Sequence, residues 1–519
     1  MNRNKHKQDL KKKLKISLRD CSKGDGRVRK RHSKTSNLKL KTKCAENEAE
    51  VQTSNINENN IHERLYRSTN KCDAASLLFK WLIHPMEEEN FYETIWEKRP
   101  LLLSRKTPLY NSCWFSSRDL DEILKKHNLQ YGINVDITSF ENEVRETHNQ
   151  EGRAIASVVW DYYNTGCSVR LLNPQTYSDK VWKLLSTLQE HFSCFVGANV
   201  YLTPPGTQGF APHWDDIEAF VLQLEGAKRW RVYAPRSNNE ILPTYSSKNF
   251  TSEDLTSEPI IDTVLRAGDM LYFPRGFIHQ AEALNSTHSL HITVSTAQNH
   301  SWKQLLEKMF TQALKDSIEE EIVLRTSLPS DLFMLCGNYS NAPKTKTKEM
   351  KNQVKSMLSR VVDHVDIDSA VDRQSLDFLH QSLPPYLAQN EKSCSVFSTS
   401  GFIDKSGKVI GSKTLEVTSK IRLVSLRCFR IVNSLEDDSP VLVYSTDNSR
   451  IYKQYEIREI PLIEEHQVKN IVFLKEKFPS FSSIQDFPEG GESEKLELAI
   501  ALFERCIVLV EKPTSLVNI

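Results

Sequence analysis

The sequence has no run of about 18 apolar residues, the length a helix needs to cross a bilayer. Its polar N-terminal stretch also lacks the apolar core of a secretory signal. The two absences predict a soluble, intracellular protein with no membrane partner. Its ten cysteines are scattered and include no Cys-x-x-Cys pair, which argues against a zinc knuckle or a disulfide framework and for reduced thiols that mostly pack. An excess of one charge is missing too. With 68 basic against 67 acidic residues the formal net charge is +1, so the chain as a whole advertises no polyanion partner. There is no internal repeat.

What charge there is lies unevenly. Met1 to Cys44 holds seventeen Lys or Arg against three acids, including "KQDLKKKLK" and "RVRKRH", and a polar, mildly acidic "CAENEAEVQTSNINENNIHE" follows. Such a stretch has too few apolar groups to offset its chain entropy, so residues 1–70 read as a disordered tail. Clustered basic residues of this kind serve nuclear import and loose RNA contact, or merely solubility. The remaining length suits about three domains at roughly 150 residues each.

Order is expected from about Cys72, where "AASLLFKWLIHP" and "NFYETIWEKRPLLL" have the spacing of short helices feeding a first strand. From about Val158 to Gln298 the pattern turns to short runs of Val, Ile, Tyr and Phe broken by "TPPGTQG", "LEGAK", "RAGD" and "FPRG". Those are turn chemistries, and the module predicted at 71–300 is a closed barrel or jelly roll. Past Trp302 the period becomes helical. Val354, Met357, Leu358, Val361, Val362 and Val365 make one stripe, so residues 301–385 read as a helical domain whose stripe serves a packed bundle or a dimer surface. "SLPPYLAQNEKS" breaks that helix. Residues 386–519 then form a second α+β module, with strand-like "IRLVSLRCFRIV", "PVLVYSTD" and "NIVFLKEKF" and a late helix, "SEKLELAIALFERC"; it is compatible with a winged helix. Its mixed charge favours a packing role over nucleic-acid contact.

"PHWDDIEAF" places His213 and Asp215 two apart before an apolar run. In an extended segment both point the same way, and two histidines with a carboxylate on one face hold non-haem Fe(II). A third ligand must come from elsewhere. His279 in "GDMLYFPRGFIHQAEAL", 64 residues past Asp215, is the favoured candidate, with His288 and His291 as competitors. Alternation puts His291, Thr293 and Ser295 on one face, and Asn199, Tyr201 and Thr203 form a polar row on another strand. Lys228, after the "LEG" turn, would pair with the distal carboxylate of a dicarboxylic cosubstrate if it is buried.

The stretches "GCSVRLLNPQTY", "GANVYLTPPGTQGFAPHWDDIEAFVLQLEGAKRWRVYAP" and "AGDMLYFPRGFIHQAE" with "HSLHITVST" resemble the JmjC-class ribosomal oxygenases over about residues 72 to 519. The resemblance implies an α+β fold: a JmjC double-stranded β-helix of jelly-roll or cupin type, a helical dimerisation domain and a C-terminal winged helix. It implies His213, Asp215 and His279 as Fe(II) ligands, and Tyr201 and Lys228 as contacts for 2-oxoglutarate. Asn199, His291 and Ser295 would line that pocket, Arg170 would lie near a peptide substrate, and O2 would be the second cosubstrate. The implied activity is hydroxylation of a histidine in a large-subunit ribosomal protein, with demethylation of histone lysines also attributed to the family. Such a protein would be a homodimer of the nucleolus and nucleoplasm. Two other readings stand beside it: chiefly a histone demethylase acting in transcriptional repression, or a catalytically silent cupin that binds ribosome or chromatin. Trp214 departs from the tyrosine usual between the two ligands, and its side chain is expected to point away from the metal.

Overall fold

The computed structural model describes residues 61–511 apart from 69, 399–401, 411–413, 435–438, 452–457 and 463. The basic run at Met1 to Cys44 lies outside the described residues. Order starts earlier than Cys72, with a helix at Ile61–Arg67. Ile61 and Leu65 are buried one turn apart in the main core, and that burial anchors a segment whose composition reads as solvated. Helices Lys71–Ile83 and Glu88–Thr94 follow as expected. Asn70 caps the first, its side chain accepting from the Asp73 amide at 3.0 Å.

Ten strands then build the catalytic-sized module: β1 (Leu101–Leu103), β2 (Val135–Glu141), β3 (Val144–Thr147), β4 (Ser168–Leu172), β5 (Gly197–Thr203), β6 (Glu218–Tyr233), β7 (Ile261–Arg266), β8 (Met270–Phe273), β9 (Ile278–Ala283) and β10 (Ser289–Thr296). All pairings are antiparallel, in the order β1-β8-β6-β10-β5-β4-β2-β3. The first half of β6 pairs with β8 and β10, and its second half with β7 and β9. One 16-residue strand is thus shared by both walls of a jelly roll.

That strand corrects the sequence reading at "LEG", which is no strand-ending turn. The chain bends at Gly226, with φ +63°, and continues through Lys228 to Tyr233. A Cβ at Gly226 would sit 1.8 Å from the His288 carbonyl oxygen, so only glycine fits. The all-β expectation for 158–298 also missed two features. Strands β2 and β3 extend the sheet on the N-terminal side. A 14-residue helix, Asp179–Phe192, lies within the region. It buries Val181, Leu184, Leu185 and Leu188 along one face, at about 1.5–3 kcal/mol per side chain.

Helices Trp302–Glu320, Lys344–Asp363 and Ile367–Gln381 follow. The stripe expected on the middle one splits. Met350 and Val361 are buried, while Val354, Leu358 and Val362 stay half exposed or more. Trp302, Leu306, Phe310, Leu314, Ile318 and Ile322, spaced every four residues, form a second exposed row.

Beyond them lies an α+β module with its own core. Strands Lys420–Leu423, Phe429–Asn433, Pro440–Tyr444 and Val508–Val510 combine with helices Glu465–Lys477 and Glu492–Glu504. Ile421, Leu442, Ile471, Leu502 and Val508 meet at its centre. "NIVFLKEKF", expected as a strand, is the second half of the first of these helices. Ile471 and Leu474, three apart, supply its buried face, and Gln467 Oε1 accepts from the Glu464 amide at its start.

Candidate active site

His213 lies just ahead of β6 and forms an isolated β-bridge with His279, the second residue of β9. The two exchange backbone hydrogen bonds, His213 N to His279 O at 3.2 Å and His279 N to His213 O at 2.9 Å. Register across that bridge therefore aligns the imidazoles, whose centroids are 4.5 Å apart. Asp215 is held from the other side, its carbonyl accepting from the Gly276 amide at 3.3 Å. Glu218, the first residue of β6, is fully buried and bonded to Tyr272 and Arg275. It pins the strand just past the aspartate.

The three side chains converge. Nε2 of His213 and Nε2 of His279 lie 3.8 and 3.7 Å from Asp215 Oδ2, and one donor atom from each residue falls within 4.8 Å of the others. Each histidine places Nδ1 against a main-chain carbonyl two residues back, Ala211 at 2.8 Å and Phe277 at 3.1 Å. A carbonyl can only accept, so Nδ1 carries the proton and the Nε2 lone pair faces Asp215. Burial, and next the nearby His213, push His279 down to about 4, so it is a neutral donor at ordinary pH. A face of two nitrogens and one carboxylate oxygen, open on its other side, is the donor set that suits Fe(II).

The nine residues that the family resemblance implied all line one cavity of about 630 Å³. Tyr201 and Asn199 on β5 lie directly opposite His291 and Thr293 on β10. The Tyr201 and His291 rings stack at 4.9 Å. Ser295 continues the inner row, while Leu290, Ile292 and Val294 turn into the core. His288 is not part of the site and pairs with Glu225 at 3.1 Å. His291 is buried among Tyr201 and Trp230. Burial, then Lys228 and His279, hold it well below its ordinary range, and its Nδ1 has no partner among the described residues.

Lys228 is 4 % exposed, and its only hydrogen bond among the described residues runs to Thr203 Oγ1 at 3.0 Å. No carboxylate there comes within ion-pairing distance of it, and burial alone lowers its ammonium to about 7. Burial raises the Tyr201 phenol, against the pull of Arg170, so it stays a donor. Arg170 is bound through Nε to Asp136 at 3.0 Å and also through Nη2. Trp214 turns away as expected, packing with Phe250, Tyr233 and Ile278.

Sequence reading missed Trp230, Phe210, Phe273 and Arg145 in this lining. Trp230 was findable, since it sits two residues past Lys228 on the same strand. Arg145 and Phe210 come from an edge strand and an irregular segment, where no periodicity marks a facing.

The chain is similar to several known proteins. Residues 170–305 match the family model described as JmjC domain, and residues 383–514 match that described as Ribosomal oxygenase 1, C-terminal winged helix domain. Ribosomal oxygenase 1 of Danio rerio is 42 % identical over 452 residues, spanning 87 % of this chain and 82 % of that protein. The "bifunctional lysine-specific demethylase and histidyl-hydroxylase NO66" of Branchiostoma floridae is 43 % identical over 448 residues, 86 % of this chain and 69 % of that one. The solved structure of YcfD, a ribosomal oxygenase from Escherichia coli in complex with cobalt and 2-oxoglutarate, is similar at TM-score 0.43 and 14 % identity, covering 82 % of this chain and 99 % of that one. With a JmjC module carrying the two-histidine and one-aspartate face, and a winged helix of its own type behind it, this chain belongs to the ribosomal oxygenase 1 family.

Proposed function

We propose that this chain is an Fe(II)- and 2-oxoglutarate-dependent protein oxygenase that hydroxylates a histidine of a large-subunit ribosomal protein. The observation that carries the reading is Lys228, a buried amine with no carboxylate within ion-pairing distance among the described residues, lining the cavity that holds His213, Asp215 and His279. Such a group calls for an anionic ligand, and a dicarboxylic acid small enough for about 630 Å³ meets the need.

His213, Asp215 and His279 would hold the iron. Lys228 and Thr203 would fix the far carboxylate of 2-oxoglutarate, with Tyr201 donating from its protonated phenol and Asn199, His291 and Ser295 bounding the pocket. When bound, the metal and 2-oxoglutarate supply the oxidising chemistry, in which O2 is consumed and succinate and CO2 are released. The chain's own part is orientation and exclusion of water. Val200, Leu202, Ile292 and Val294 back the inner row and are buried, and Arg170, a lining residue braced by Asp136, would meet the polypeptide.

Ring placement favours hydroxylation over recognition of a methylated lysine. A cage for such a cation needs several free aromatic faces, and three of the rings that line the cavity already have a neighbour packed on them. Tyr201 is stacked by His291, Phe210 lies under Arg145 and Arg170, and Phe273 packs on His279 at 4.4 Å. The exposed rows on helices Trp302–Glu320 and Lys344–Asp363 support a homodimer through the helical region, and the basic run at Met1 to Cys44 supports nucleolar and nucleoplasmic residence. The direct test is succinate formation from 2-oxoglutarate. It should require Fe(II) and vanish in His213→Ala; its absence in the unaltered protein would return the chain to a silent binding module.

A further inference from the structure

Two guanidinium groups lie by the Phe210 ring, and one of them holds a carboxylate. The Arg170 and Arg145 carbons lie 5.4 and 4.5 Å from its centroid. Arg170 spends Nε and Nη2 on Asp136, which also accepts from Asn149 at 2.7 Å. Asp136 is thereby occupied. Arg145 feels the Asp136 charge at longer range, but among the described residues it makes no ion pair within 4 Å and no side-chain hydrogen bond, and its Nε–H is shielded from solvent without an acceptor. It lines the same cavity as His213. Two guanidinium groups therefore share one carboxylate, which leaves the donors of Arg145 unspent on a planar group with five of them suited to oxygen acceptors.

The reach can be bounded. The Phe210 centroid is 6.5 Å from that of His213 and 4.5 Å from the Arg145 guanidinium carbon, so that carbon is no more than 11 Å from the His213 ring. An extended chain advances about 3.3 Å per residue, so roughly three residues span the gap.

We propose that Arg145 is a substrate-recognition residue whose guanidinium donates to an oxygen of the substrate polypeptide within about three residues of the side chain that is oxidised. The inference rests on the protein-oxygenase reading above. The oxygen is either a main-chain carbonyl or an acidic side chain, two sources of one acceptor chemistry.

The test uses the full chain with Fe(II) and 2-oxoglutarate, kept anaerobic, and fluorescein-labelled 15-residue peptides tiled over the large-subunit ribosomal proteins. Peptides captured by the unaltered protein should bind Arg145→Ala at least tenfold more weakly, with partial recovery in Arg145→Lys. In a separate aerobic assay, succinate formation without peptide should be unchanged in both. A loss that persists after nearby acids in the peptide are amidated assigns a main-chain carbonyl; one that disappears assigns a carboxylate. Equal peptide binding by Arg145→Ala, or loss of 2-oxoglutarate binding along with it, overturns the inference alone. Succinate formation with no peptide captured by the unaltered protein overturns the polypeptide-substrate reading and this inference with it.

Discussion

Lys228 Nζ donates to Thr203 Oγ1 at 3.0 Å across the strand pairings of one jelly roll, and no carboxylate among the described residues comes within ion-pairing distance of the lysine. The prediction is that an anion binds at this pair. Removing the lysine would leave a bound carboxylate buried and unpaired, at a cost of about 3–5 kcal/mol, which is roughly a hundredfold or more in affinity. Calorimetric titration of Lys228→Ala with 2-oxoglutarate should read that loss, while the melting temperature of the ligand-free variant should not fall. Unchanged affinity would assign the carboxylate to another group.

The same lysine sets a pH dependence. Burial lowers it from 10.5 to about 7. The unfolded chain therefore binds more protons between about pH 7 and pH 10.5, so ligand-free stability rises with pH through that window and is lower below it. Binding a carboxylate favours the ammonium form. Affinity for 2-oxoglutarate should accordingly be full below about pH 7 and fall by up to tenfold per pH unit above it, with proton uptake on binding. Titrations in buffers of different ionisation enthalpy measure both, and a flat profile from pH 7 to 9 would count against the pairing.

His213→Ala, Asp215→Ala and His279→Ala should each retain the fold and lose more than about a hundredfold of Fe(II)-dependent succinate formation, beyond the range seen for groups that only support a ligand. His279 also closes a backbone bridge, but alanine keeps that main-chain pairing. Far-ultraviolet dichroism with the turnover assay separates the effects. Full activity in any one variant removes that residue from the site.

The rows through Phe310, Leu314 and Leu358 should be covered by a second copy in solution. Placing a charge there, as in Leu314→Glu with Leu358→Glu, should convert a dimer to a monomer in light scattering. A dimer that persists in the double variant puts the interface elsewhere.

Much of the site could be read from sequence because strands make it. Alternation assigned the facing of His291, Thr293 and Ser295, and of Asn199 and Tyr201, with no further knowledge, since a pleated strand leaves each side chain only two faces. His213 and Asp215 share a direction although they precede β6, because the bridge to His279 extends the chain there. What could not be read depends on tertiary contact. Gly226 resembles a turn until the approach of the His288 carbonyl is seen, and "NIVFLKEKF" resembles a strand until Ile471 and Leu474 find a core on one side. Arg145 was invisible because its significance is a buried Nε–H without an acceptor among the described residues.

The most direct test is mass spectrometry of histidine-containing peptides from large-subunit ribosomal proteins, incubated with the protein, Fe(II), O2 and 2-oxoglutarate, with His213→Ala as control and a trimethyl-lysine histone peptide alongside. One added oxygen on a histidine of a ribosomal peptide, absent in the control, is the result expected here. Methyl loss from the histone peptide with no oxygen added to any ribosomal peptide would contradict it.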